Sequence, residues 1–231
     1  MSVGYRIYKK VNRAPQEMVD RFAAVPVANI DDVMGGTSCV SSEIRPFNDS
    51  PMCGTAFTVK APVGEGILIH LALDMAQPGD VIIVDANGCK ERGLCGEGMY
   101  LLARKRGFKG FVIDGAIRDS GAARTYTDFP VYGRSVQCNA YKAANSGGIN
   151  VPISVGGVVV FPGDIIRGDE DGIVVIRPKD AGEIVDKVEA FAEKDREKMR
   201  RTLDGTLDRS WVQEFFKDKN FEYLDKAWDE D

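Results

Sequence analysis

The chain has 231 residues, 44% apolar and 28% charged, with 30 Lys+Arg against 35 Asp+Glu and a net charge of −5. At about 150 residues per domain, this length suits one globular domain with an appendage. The acidic balance lacks the basic footprint of a nucleic-acid binder and gives no reason to expect docking on an anionic membrane, and no run approaches the roughly 18 apolar residues of a membrane span.

In chain order, Pro15 is placed at the N1 position of a first helix that turns Met18, Val19 and Phe22 to one apolar side. A second short helix is expected from Asn29 or Asp31 to Gly35-Gly36. The alternating run Gly54–Lys60 reads as a strand. Ile67–Met75 (ILIHLALDM) has helical spacing, and Val81–Asp85 (VIIVD) reads as a strand buried on both faces. Met99–Arg106 is a helix candidate with Gly107 as its C′ residue. Gly110–Asp114 (GFVID) is a second buried strand, and Asp128–Tyr132 an edge strand limited by Pro130. Strand-rich sequence follows from Val151 to Phe161, broken at Gly156-Gly157, and again at Ile165–Arg167 and Gly172–Ile176. From about Asp180, Ile184, Val188 and Phe191 mark a long charged helix toward Arg201, with Gly205 as its stop. Ser210–Asp231 is amphipathic and rich in aromatics, expected to pack on the body or on a neighbouring subunit. The reading is an α/β domain over 1–180 with a helical C-terminal extension over 181–231.

The absences narrow the chemistry. There is one histidine, His70, so a zinc site built on several His ligands cannot come from one chain. Set among apolar neighbours, His70 is expected to be a core or interface residue. The five cysteines (Cys39, Cys53, Cys89, Cys95 and Cys138) form no C-x-x-C, and Met1–Gln16 hold no apolar signal-like core, so free thiols in a reducing, cytoplasmic setting are expected. Cys89 and Cys95 are read as buried structural thiols. No P-loop, G-x-G-x-x-G or G-x-S-x-G occurs, which argues against a nucleotide-binding or methyl-donor site.

What remains is Gly96-Glu97-Gly98 directly before a helix, and Arg118-Asp119 after a strand. Helix-start N–H groups attract carboxylate or phosphate. The intervening helix and strand can return both segments to one edge of the sheet. Two carboxylates with water suit Mg²⁺ or Mn²⁺, and an adjacent Arg suits a 2-oxo acid and its enolate. An Arg–Asp ion pair with a Glu helix cap is the plainer alternative.

With GTAFTVKAP, PGDVIIVDANG, KGFVIDGAIRDS, FPVYGR and VPISVGGVVVFPGDIIRGDEDGIVVI in this order, and Glu97-x20-Arg118-Asp119 among them, residues 29–178 resemble a known family. It is the class II pyruvate aldolases of the 4-hydroxy-4-methyl-2-oxoglutarate/4-carboxy-4-hydroxy-2-oxoadipate type, which includes the regulator of ribonuclease activity A. The resemblance implies an α-β-β-α sandwich of the swivelling β/β/α type, assembled as homotrimers or homohexamers with the site at a subunit interface. It implies that Asp119 ligates a divalent metal, Mg²⁺ or Mn²⁺, and that Glu97 approaches that metal through water. Arg118 would contact the keto oxygen and stabilise the enolate, and the amides of Gly96, Glu97, Gly98 and Met99 would hold the pyruvyl carboxylate. The implied activity is retro-aldol cleavage of 4-hydroxy-2-oxo diacids to pyruvate, with oxaloacetate decarboxylation through the same enolate. The alternative is a non-catalytic regulatory binder like the ribonuclease-inhibiting relatives. Two positions depart from the pattern: Ala122 stands where an acid is frequent, and Thr206 in Gly205-Thr206-Leu207 where the family often has Glu.

Overall fold

The computed structural model describes residues 4–140 and 146–229. Its elements are β1 (Tyr5–Ile7), α1 (Gln16–Ala23), α2 (Val27–Val33), β2 (Arg45–Pro46), β3 (Met52–Lys60), α3 (Ile67–Met75), β4 (Asp80–Gly93), α4 (Glu97–Lys105) and β5 (Gly110–Ile117). There follow α5 (Ser120–Thr125), β6 (Val131–Val136), β7 (Gly147–Ile149), β8 (Ile153–Val155), β9 (Val158–Val160), β10 (Ile165–Gly168), β11 (Ile173–Ile176), α6 (Ala181–Leu203) and α7 (Ser210–Lys217).

Strands β3, β4, β5 and β6 run parallel and are joined through α3, α4 and α5. The sheet order is β1-β7-β3-β4-β5-β6-β2. The second edge of β3 is shared, because β10 pairs with its first half and β7 with its end. Strands β10 and β11 pair antiparallel, and β8 and β9 form a separate hairpin. The expected α/β class holds.

Strand periodicity explains why VIIVD and GFVID are apolar throughout. Successive side chains point to opposite faces, and both faces are covered. Ile82, Val84, Phe111 and Ile113 pack with Ile69 and Leu73 of α3 and Tyr100 and Ala103 of α4. Val81, Ile83 and Val112 pack with Ile153, Val160, Ile166 and Val175 from the later strands.

Several boundaries differ from expectation. Pro15 has φ −54° and ψ 140°, so it precedes α1 as an extended N-cap residue instead of occupying N1. Helix α2 begins at Val27, behind a similarly extended Pro26, and ends at Val33. Strand β6 begins only after Pro130 and pairs with β5 on one side and β2 on the other, so it is one place in from the edge. Strand β4 continues to Gly93 through two register shifts against β5, with Asn87 and Gly88 both at positive φ. Helix α4 ends as expected, with Gly107 at φ 77°, where glycine carries no Cβ penalty.

The chain divides into two compact units, Met1–Phe191 and Ala192–Asp231, and α6 runs through the boundary. In the first unit, Val185 and Val188 are buried and Arg21 bonds Asp186 and Glu189. In the second, α6 stops at Gly205, at φ 69°, with the Thr206 N–H returning to the Arg201 carbonyl. Of the amphipathic segment that starts at Ser210, the described residues are helical over Ser210–Lys217, and Phe216 meets Phe215 and Phe221 edge to face. No helix among the described residues is long and apolar enough to cross a membrane, and all five cysteines are free.

Candidate active site

The site is built where β4 hands over to α4 beside the end of β5. The Leu94 N–H donates to the Ala116 carbonyl at 3.0 Å, and the Arg118 N–H donates to the Cys95 carbonyl at 2.9 Å. These bonds stitch the linker 94–96 along β5. Helix α4 therefore starts next to Arg118-Asp119, and the expected convergence of the two segments is present.

Asp119 adopts a left-handed conformation, φ 55° and ψ 39°, at the residue before α5. Few non-glycine residues enter this region, and Asp and Asn do so most easily. The turn directs the carboxylate away from its own helix. Asp119 does not cap α5; its Oδ2 accepts the Glu97 N–H at the start of α4, at 3.0 Å. The positive end of α4 favours that carboxylate. Arg118 Nε lies 3.5 Å from the same oxygen, with both side chains close to half exposed. Asp119 Oδ1 and the Glu97 carboxylate have no hydrogen-bond partner among the described residues.

Gly96 makes this approach possible. Its backbone is extended, so the requirement is space and not conformation. A Cβ there would lie 2.3 Å from Asp119 Oδ2 and 3.0 Å from both Cγ and Nε of Arg118. The loop amides divide their work. Glu97 N–H serves Asp119 and Met99 N–H serves the Gly96 carbonyl, while the N–H groups of Gly96 and Gly98 have no protein acceptor among the described residues.

Behind the loop stands Tyr100, fully buried. Its hydroxyl lies 2.9 Å from the Arg118 carbonyl and 3.2 Å from that of Cys95, so one proton ties both segments together. Burial holds the Tyr100 phenol far above its ordinary range and pushes the Cys95 thiol up to about 12. Cys95 is thus a protonated structural thiol, as the sequence suggested, whereas Cys89 is half-buried. Tyr100→Phe takes the hydroxyl donor from the Arg118 carbonyl, whereas the Cys95 carbonyl keeps the Arg118 N–H. The expected cost is about 1–2 kcal/mol, measured as a lowered denaturation midpoint, with a loss of activity from the loosened loop.

Arg118, Gly96, Gly98 and Met99 line a cavity of about 320 Å³, at the small end of ligand-site volumes. Helix α3 lines it too, through residues that include His70. The core reading of His70 is therefore corrected. Ile69, Ala72 and Leu73 are the buried face of α3, while His70 is exposed and faces the cavity. The sequence signal was present as His70 and Asp74 at i and i+4, which puts the two polar residues of an otherwise apolar helix on one face.

Ala122, in the short helix after Asp119, offers no ligand atom in its side chain, and Thr206 lies in the second unit. Among the described residues no three His, Cys, Asp or Glu side chains gather as a metal site.

Comparison with known proteins agrees with this architecture. The profile of the family described as RraA-like, Aldolase/RraA, matches residues 27–175. A protein of Halalkalibacterium halodurans, named provisionally as a 4-hydroxy-4-methyl-2-oxoglutarate aldolase, is 34% identical over 198 residues, covering 85% of this chain and 94% of its own. Among solved structures, an uncharacterized protein from Pseudomonas syringae pv. tomato superposes with a TM-score of 0.73 at 25% identity, covering 85% of this chain and 96% of its own. Streptomyces coelicolor RraAS2, described as an unusual member of the RNase ES inhibitor RraA family, gives 0.72 at 28% identity, covering 83% and 99%. The chain belongs to the RraA-like family of aldolases and RraA proteins.

Proposed function

We propose that this chain is a divalent-metal-dependent carbon–carbon lyase that cleaves 4-hydroxy-2-oxo diacids to pyruvate and decarboxylates oxaloacetate through the same enolate. One observation carries the reading. The Asp119 carboxylate is held by one oxygen at the start of α4, beside Arg118, which lines the cavity, and its second oxygen has no hydrogen-bond partner among the described residues.

The donor set fits a hard cation. Asp119 and Glu97 offer only oxygen, and with no group of three ligand side chains among the described residues the remaining positions would fall to water and substrate oxygens. Mg²⁺ commonly binds in this way, through one or two carboxylates. Asp119 would hold the ion directly and Glu97 through water; when bound, it supplies a Lewis acid at the keto oxygen.

The protein's own groups account for the rest. The amides of Gly96 and Gly98, without an acceptor among the described residues, bind the pyruvyl carboxylate at the positive end of α4. The Arg118 guanidinium sits where enolate charge develops. Glu97 stands ready to accept, through water, the proton of the C4 hydroxyl. As the C3–C4 bond breaks, its electron pair becomes the enolate, which is then protonated at C3 to give pyruvate. In oxaloacetate the same pair is released as carbon dioxide departs, and no base is needed.

The test is pyruvate release from oxaloacetate and a panel of 4-hydroxy-2-oxo diacids. Turnover is expected to vanish with EDTA and return with excess Mg²⁺ or Mn²⁺. Inhibition of a ribonuclease without pyruvate release under any metal would replace this reading with that of a regulatory binder. Homotrimeric or homohexameric assembly, with the aromatic C-terminal segment contributing, belongs to the same proposal and is read by light scattering.

A further inference from the structure

We infer that His70 determines substrate specificity by receiving the distal carboxylate of a 4-hydroxy-2-oxo diacid. The inference rests on the lyase reading above and extends it to the far end of the substrate.

The cavity lining joins two chemically different sets of residues. Arg118 and the Gly96 and Gly98 amides form a positive corner that suits the pyruvyl half. Helix α3 and the next turn of α4 contribute Ile67, Leu73 and Leu102. Among these described lining residues of α3 and α4, His70 is the one side chain that carries a strong hydrogen-bond donor. It has no hydrogen-bond partner among the described residues and is exposed on a helix otherwise built from apolar residues and Asp74. An exposed imidazole with no hydrogen bond among the described residues, set among apolar side chains of a cavity that Arg118 also lines, matches an extended anion with one charged group at each end. The apolar surroundings suit a small alkyl substituent at C4, and a second distal carboxylate would find no further donor among the described lining residues.

The test uses two substrates that differ only at the far end: 4-hydroxy-4-methyl-2-oxoglutarate, and 4-hydroxy-4-methyl-2-oxopentanoate, which lacks the distal carboxylate. Exchange of the pyruvate methyl protons in D₂O reports the pyruvyl half alone. His70→Ala is expected to raise KM for the diacid about tenfold or more, the loss of a hydrogen bond to a charged group. It should leave KM for the oxopentanoate and the rate of proton exchange close to wild type. His70→Gln, which keeps a donor, should recover part of the diacid affinity. Equal losses on both substrates, or slowed proton exchange in His70→Ala, would overturn the inference by placing His70 at the pyruvyl end. Unchanged KM for the diacid would overturn it by removing His70 from the site. A wild-type chain that neither exchanges pyruvate protons nor cleaves either substrate overturns the lyase reading itself, and that result needs no variant.

Discussion

Gly96→Ala is expected to remove at least 99% of pyruvate-forming activity while the fold survives. The added Cβ would stand 2.3 Å from Asp119 Oδ2 and 3.0 Å from two atoms of Arg118. All three belong to side chains close to half exposed to solvent, so they can swing away. The backbone at Gly96 is extended and accepts alanine without strain. Stability should therefore change by no more than about 1 kcal/mol, the scale of one charge at a helix N-terminus. Function has no such escape, because the two displaced groups are those proposed to hold the cation and the enolate. A misplacement of about 1 Å in a catalytic constellation commonly costs about 10²-fold in rate. Comparing kcat/KM with the denaturation midpoint checks both halves. A variant that keeps full activity would show that the contact between Asp119 and the start of α4 is not needed for turnover.

How much of this was legible in the sequence depended on whether local pattern or tertiary contact decided each feature. VIIVD and GFVID could be read as buried strands because burial on both faces leaves an uninterrupted apolar run. Strands β1 and β7 were missed. Each has three residues, β1 is exposed along its length, β7 begins Gly-Gly, and the two exist by pairing with each other and with the end of β3. The length of β4 was hidden by Asn87-Gly88, which looks like a turn and instead bends a strand that continues. For the site, the meeting of Glu97 with Arg118-Asp119 followed from the helix–strand unit between them. The left-handed backbone of Asp119 and the closeness of Gly96 did not, since both are set by hydrogen bonds between the 94–96 linker and β5. The core alternative for His70 fails because α3 is nearly apolar all round, and periodicity cannot choose a buried face when both faces qualify.

Asp119→Asn and Arg118→Lys separate charge from shape in the same corner. Asn tolerates the left-handed backbone of Asp119 and keeps an amide oxygen for the Glu97 N–H, so the loop and α5 should stay in place. The variant loses one negative charge and the oxygen proposed to meet the cation. Activity is expected to fall by about 10³-fold or more, with a markedly higher metal concentration required for half of whatever rate remains. Arg118→Lys keeps the positive charge but gives up the planar fork. Its loss should be smaller, about 10²-fold, with little change in metal requirement, whereas Arg118→Ala should approach 10³-fold, the scale for removing a donor to a developing oxyanion. Metal titrations of the three variants against oxaloacetate, with circular dichroism to confirm folding, distinguish the roles. If Asp119→Asn and Arg118→Lys shifted the metal requirement equally, the carboxylate and the guanidinium would be acting as one ion pair, and assigning the cation to Asp119 would fail.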